Sequence, residues 1–153
     1  MRKRPRIGDI IEIKTRGGLA YAQFTHKVPR YGALIRVLPG LYDVRPAAFK
    51  ELVNLEERFF IFFPLGAALY RGLVTVVSNE TIPERVQKFP LMRKPGMIDR
   101  SGKVLNWWLW DGQREWPVSA LSPEQQKLSI ASILNDTLLI ERIEMGWLPE
   151  ANV

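Results

Sequence analysis

The chain has 153 residues, a formal charge of +6, 46% apolar and 25% charged residues, and no cysteine. That composition fits one soluble globular domain with a core of its own, and it excludes disulfides, thiol catalysis and thiolate zinc sites. Four basic groups (Arg2, Lys3, Arg4, Arg6) fall in residues 1–6, leaving +2 for the rest, so the reading divides the chain into a basic tail, a β-rich domain over 7–148 and a short tail over 149–153.

Ile7, Ile11 and Ile13 alternate with Glu12 and Lys14, predicting a strand. A turn through "TRGG" and a return strand Leu19 to Phe24 follow, then a third strand from Tyr31 to Leu38 closed by Pro39-Gly40. Pro46 to Asn54 predicts a short helix with proline in its first turn. "RFFIFFP" has no polar alternation and predicts a strand buried on both faces. A short helix in "GAALYRG" and a strand over Leu73 to Ser78 come next. The 19 residues from Phe59 to Val77 carry one charge, but Pro64, Gly66 and Gly72 break them into pieces too short to span a bilayer. With no secretory h-region after the tail, the expected location is the cytoplasm. Thr81 to Gly102, polar and carrying Pro83, Pro90 and Pro95, is expected to be a long functional loop.

Four of the five tryptophans lie in "LNWWLWDGQREWPV", residues 105–118. Asp111-Gly112 predicts a two-residue hairpin turn. That register pairs Trp107 with Trp116 on an apolar face and sets Trp108, Trp110, Gln113 and Glu115 on an amphipathic one. Trp107 and Trp116 are therefore expected in the core, with Trp108 and Trp110 forming a shelf that Arg93 and Lys94 of the preceding loop rim. Ser122-Pro-Glu-Gln is a capping box, and helical spacing runs on through Ile130, Ile133, Leu134, Leu138, Ile140 and Ile143 to a glycine cap at Gly146. The predicted fold is mainly β: a strongly bent, SH3-like antiparallel sheet or small barrel, buttressed by a C-terminal helix.

Little of this is catalytic equipment. His26 is the one histidine, and no nucleotide-binding glycine motif or nucleophile elbow is present. The carboxylates Glu56-Glu57, Glu80, Glu84, Glu141 and Glu144 are scattered. No cofactor or metal is expected. The Trp108/Trp110 shelf with Gln113, Glu115, Arg93 and Lys94 is the candidate partner-binding site, because tryptophan with a charged rim is how binding hot spots are built. Nucleic-acid binding through the tail and aromatics is the alternative, and a hydrolase the third.

The order of "IGDIIEI", "AYAQF", a phenylalanine-rich strand with an "FP" loop, a tryptophan strand ending near "DG", and "LIERIEMGW" resembles the immunity protein 26 family of bacterial polymorphic toxin systems. The resemblance covers residues 6 to 148. It implies a mostly β protein that binds and neutralises a toxin made by a neighbouring gene; the scarcity of catalytic groups adds the expectation that it does so without turnover. It marks no individual residue.

Overall fold

The computed structural model describes residues 4–152; Arg2 and Lys3 of the basic tail lie outside the described residues. Strands β1 (Asp9–Thr15), β2 (Gly18–Val28), β3 (Gly32–Val37), β4 (Phe59–Phe63) and β5 (Thr75–Asn79) form one antiparallel sheet in the order β4-β3-β2-β1-β5. Register shifts at Ile10/Ile11 and at Phe24/His26 interrupt its ladders, the kind of bulge that bends a strand. β4 and β5 do not pair, so the sheet stays open and is not a closed barrel. A second, smaller sheet holds β6 (Met92–Pro95), β7 (Trp107–Trp110) and β8 (Glu115–Val118), in that order.

One face of the large sheet carries the main core. Ile11, Ile13, Phe24, Ile35, Ile61 and Phe63 pack beneath α1 (Leu65–Tyr70) and α4 (Asp136–Glu144). β4 is buried along its whole length, as its unbroken apolar run predicts. Phe60 and Phe62 on its other face, with Leu34, meet Met92 and Trp110 of the second sheet. The stretch from Phe59 to Val77 thus resolves into β4, α1 and the start of β5, and no helix among the described residues is long and apolar enough to cross a membrane.

The opposite face of the large sheet also holds buried charge. Arg36 is fully buried; its Nε donates to Gln23 Oε1 (2.9 Å) and its Nη groups to the carbonyls of Val53 and Leu55 and to Glu57 Oε1 (3.1 Å). Glu12 accepts from Tyr21 OH (2.8 Å) and from Arg45 through both carboxylate oxygens (2.7 and 3.0 Å). Each charge is therefore met by donors or acceptors, as burial requires.

Three predicted elements differ. Only Leu52–Asn54 of the expected 46–54 helix is helical, as one 3₁₀ turn. Thr81 to Gly102 is not a loop throughout: it holds the single helical turn α2 (Glu84–Gln87) and strand β6, where Met92 and Arg93 are fully buried. The capping box at Ser122 forms, with Gln125 N–H donating to Ser122 Oγ and Ser122 N–H to Gln125 Oε1, but its helix α3 (Pro123–Gln126) stops after one turn.

The chain from 129 to 134 is then extended, and it stitches the two sheets together. Arg93 N–H donates to Ser129 O and Ala131 N–H to Arg93 O; Phe62 N–H donates to Ser132 O and Leu134 N–H to Phe62 O. These backbone bonds outcompete continuation of the helix, because they satisfy the exposed edges of β6 and β4 at once. Helix resumes only at Asn135, whose side chain accepts from Leu138 N–H (2.8 Å), and it ends at Gly146 with φ +67°, the expected cap.

Candidate partner-binding surface

The β7–β8 hairpin closes through four residues, not two. Trp110 pairs with Glu115, Leu109 with Trp116 and Trp107 with Val118. Asp111 is the reason: its Oδ1 accepts from Gln113 N–H (2.9 Å) and Arg114 N–H (2.7 Å), while Asp111 N–H donates to Arg114 O. Those backbone N–H groups hold the Asp111 carboxyl below its ordinary range. A two-residue displacement keeps every side chain on its predicted face but moves Trp116 away from Trp107 and out toward the end of the edge strand.

Burial changes accordingly. Trp107 is buried and Trp108 half-buried, as expected. Trp116, expected in the core, is 39% exposed, because it stands on β8, the edge strand of its sheet, opposite Leu109. Trp110, expected on the exposed shelf, is only 7% exposed: Tyr31, Phe62 and Phe89 surround its ring at centroid distances of 5.0, 6.1 and 5.1 Å. The amphipathic face is the one that docks on the large sheet, and its Trp110 end lies inside the junction.

Arg93 lies furthest from its expected place. It is fully buried and on the opposite face from Lys94. Its guanidinium lies 4.3 Å from the Trp107 ring centre and donates to four carbonyls, those of Gln126, Leu128, Pro149 and Asn152. Burial pulls its pKa down to about 10. It holds the 126–128 and 149–152 segments together and offers no surface charge.

The structure does bring Trp108, Lys94 and Glu115 together. Lys94 Nζ donates to Glu115 Oε2 (2.8 Å) and sits 4.8 Å from the Trp110 ring centre and 5.6 Å from that of Tyr31. The hydrogen bond that Lys94 donates to Glu115 raises the Lys94 pKa. Gln113 is exposed on the turn, beside a depression it shares with Lys88 and Phe89. His26 is structural: Nε2 donates to Gln87 O (2.9 Å), Nδ1 lies 2.9 Å from Thr25 Oγ1, and the ring meets Phe89 edge-on.

A further part of this surface was missed. Beyond β6 the hairpin continues, with Gly96 N–H donating to Asn106 O, Leu105 N–H to Met97 O, and Ile98 bridged to Val104. Asp99 Oδ1 caps its tip, accepting from Ser101 N–H and Lys103 N–H. Met97 (71%), Ile98 (56%) and Leu105 (52%) are left largely in solvent. The signal was present in the sequence: Met97-Ile98 and Val104-Leu105 flank the turn residues Asp99 to Gly102.

These features define the chain as a mainly β protein with an apolar, aromatic surface on its smaller sheet. Comparison with protein-family profiles, curated proteins and solved structures finds no significant match.

Proposed function

We propose that the protein is a non-enzymatic immunity protein that binds a cognate toxin and neutralises it by covering it. The observation that carries this reading is the smaller sheet. Trp116 stands exposed on its edge strand β8, on the face opposite Trp108, and Met97, Ile98 and Leu105 stand exposed on the hairpin beyond β6, while Trp110, Met92 and Arg93 anchor the sheet in the fold. An apolar surface held on strands loses little entropy on binding, and a partner that wraps the β8 edge meets both Trp116 and Trp108, whose rings supply large contact area. Lys94 and Glu115 form the polar rim beside Trp108. Arg93 leaves the predicted rim because it is buried; Lys94 and Glu115 stay in it.

The test is kinetic binding to a toxin encoded beside this chain. Trp108→Ala and Trp116→Ala each weaken binding by about 2 kcal/mol, mainly through faster dissociation. Unchanged kinetics in both variants would remove the sheet from the interface. Turnover of a sugar, ester or phosphate substrate, abolished by one carboxylate substitution, would overturn the non-enzymatic reading.

A further inference from the structure

A groove runs away from the tryptophan hairpin, first beside the junction of the sheets and then between the large sheet and α4, and the cations along it (Arg58, Arg85, Lys88, Lys127 and Arg142) outnumber the acids (Glu56, Glu57 and Glu144). Its first depression, about 370 Å³, has Arg85, Lys88 and Lys127 around a floor that includes Phe60 and Leu128. Its second, about 300 Å³, lies between Leu41, Trp147 and Arg142. Arg58 and Phe59 line both, so the two adjoin across the Arg58 side chain. Lys88 and Phe89 also line the neighbouring depression bordered by Asp111 and Gln113, which joins the groove to the hairpin turn.

Among the described residues, most of the cations along it form no ion pair. Glu57 is shared between Arg36 and Arg85. Among the described residues, no carboxylate lies within ion-pair distance of Lys88, Lys127, Arg58 or Arg142. The Arg58 guanidinium donates to the Gly146 carbonyl (3.2 Å). Arg142 stacks 4.1 Å from the Trp147 ring centre, and its Nη1 is buried with no hydrogen-bond partner. A buried guanidinium N–H without an acceptor is costly, and a carboxylate placed in the second depression is the acceptor that a small turn of the guanidinium would meet.

We propose that this groove takes an extended acidic segment of a protein partner, carboxylates against Lys88, Lys127, Arg58 and Arg142 and apolar side chains in the two depressions. The proposal rests on the protein-binding reading and names the chemistry of the partner. A nucleic-acid strand fits less well. Trp147 offers no free platform for a base, since Arg142 stacks on its ring and Phe59 meets it edge-on.

The probe is a fluorescein-labelled peptide alternating glutamate and leucine, followed by anisotropy and by amide shift mapping on the full chain. The wild type binds it with shifts centred on Arg58, Lys88 and Trp147, and affinity falls with added salt. The double variant Lys88→Glu/Lys127→Glu, at two exposed positions, and the single Arg58→Gln each weaken binding, the former by about tenfold or more. Trp116→Ala leaves peptide binding unchanged, so a failure of the groove and a failure of the sheet surface read out separately. No binding by the wild type, equal binding by the double variant, or tighter binding of a DNA oligonucleotide of the same charge would each overturn the proposal.

Discussion

Glu12 and Arg93 show two ways in which this fold keeps a charge inside. Glu12 is 5% exposed and has two partners, Tyr21 and Arg45. The Arg45 hydrogen bond is the largest cause that lowers its pKa below the ordinary 4.5, against the opposing effect of burial. A carboxylate whose folded pKa is depressed contributes stability above its unfolded pKa, and that stability is lost as pH falls through the folded value. Glu12→Gln therefore lowers the melting temperature at neutral pH and flattens its decline in acid; a variant whose melting temperature falls with acid as steeply as wild type would show that Glu12 is not the titrating group. Among the described residues no carboxylate lies within ion-pair distance of Arg93; it depends on four carbonyls, with the charge of Glu150 acting from farther off. Arg93→Met strands those acceptors, at a cost of about 3 kcal/mol or more by urea denaturation. Arg93→Lys recovers only part, because an ammonium has three donors and no planar fork.

At the level of elements, the tryptophan hairpin separates two residues that look alike in sequence. Trp110→Ala opens the junction beside Phe62 and Phe89 and costs about 3–5 kcal/mol. Trp116→Ala, on the open edge, costs about 1 kcal/mol or less. Equal losses in denaturant titrations would contradict this arrangement. Pro117 guards the same edge. Leu109 pairs with Trp116 on the hydrogen-bonding side of the ladder, as the Asp111 to Arg114 bond fixes by alternation, so the nitrogen of Pro117 faces outward and has no hydrogen to offer a new strand. The faces of this hairpin were legible because side-chain alternation survives a shift of two. Its burial was not, because nothing local to β7 says that the large sheet packs against the Trp110 end. The strand at Met92 was hidden for a similar reason. "LMRKP" offers two apolar residues followed by two charges and no alternation, and Arg93 is buried because carbonyls from 126–128 and 149–152 converge on it from distant sequence. By contrast β4, the Ser122 box and the Gly146 cap are written in adjacent residues and were readable as such.

Across the whole molecule, the 129–134 segment determines whether the two sheets behave as one unit. It bonds to Arg93 on the smaller sheet and to Phe62 on the larger, and Ser129 Oγ also accepts from Phe60 N–H (2.8 Å). The Phe62, Met92 and Trp110 contact adds an apolar seam beneath it. With both ties intact, neither sheet loses its contacts without exposing the other, so unfolding is a single cooperative transition. The tryptophans make this measurable: Trp107, Trp108, Trp110 and Trp116 report on the smaller sheet and its loop, while far-ultraviolet circular dichroism is weighted toward the larger one. In urea the two signals share one midpoint for the wild type. Ala131→Pro deletes the N–H that donates to Arg93 O and leaves the bonds to Phe62 in place. In that variant the fluorescence midpoint moves to lower urea than the dichroism midpoint, as the smaller sheet detaches first. Coincident midpoints in Ala131→Pro would mean that the apolar seam alone couples the sheets; separate midpoints already in the wild type would mean that the stitch does not couple them at all.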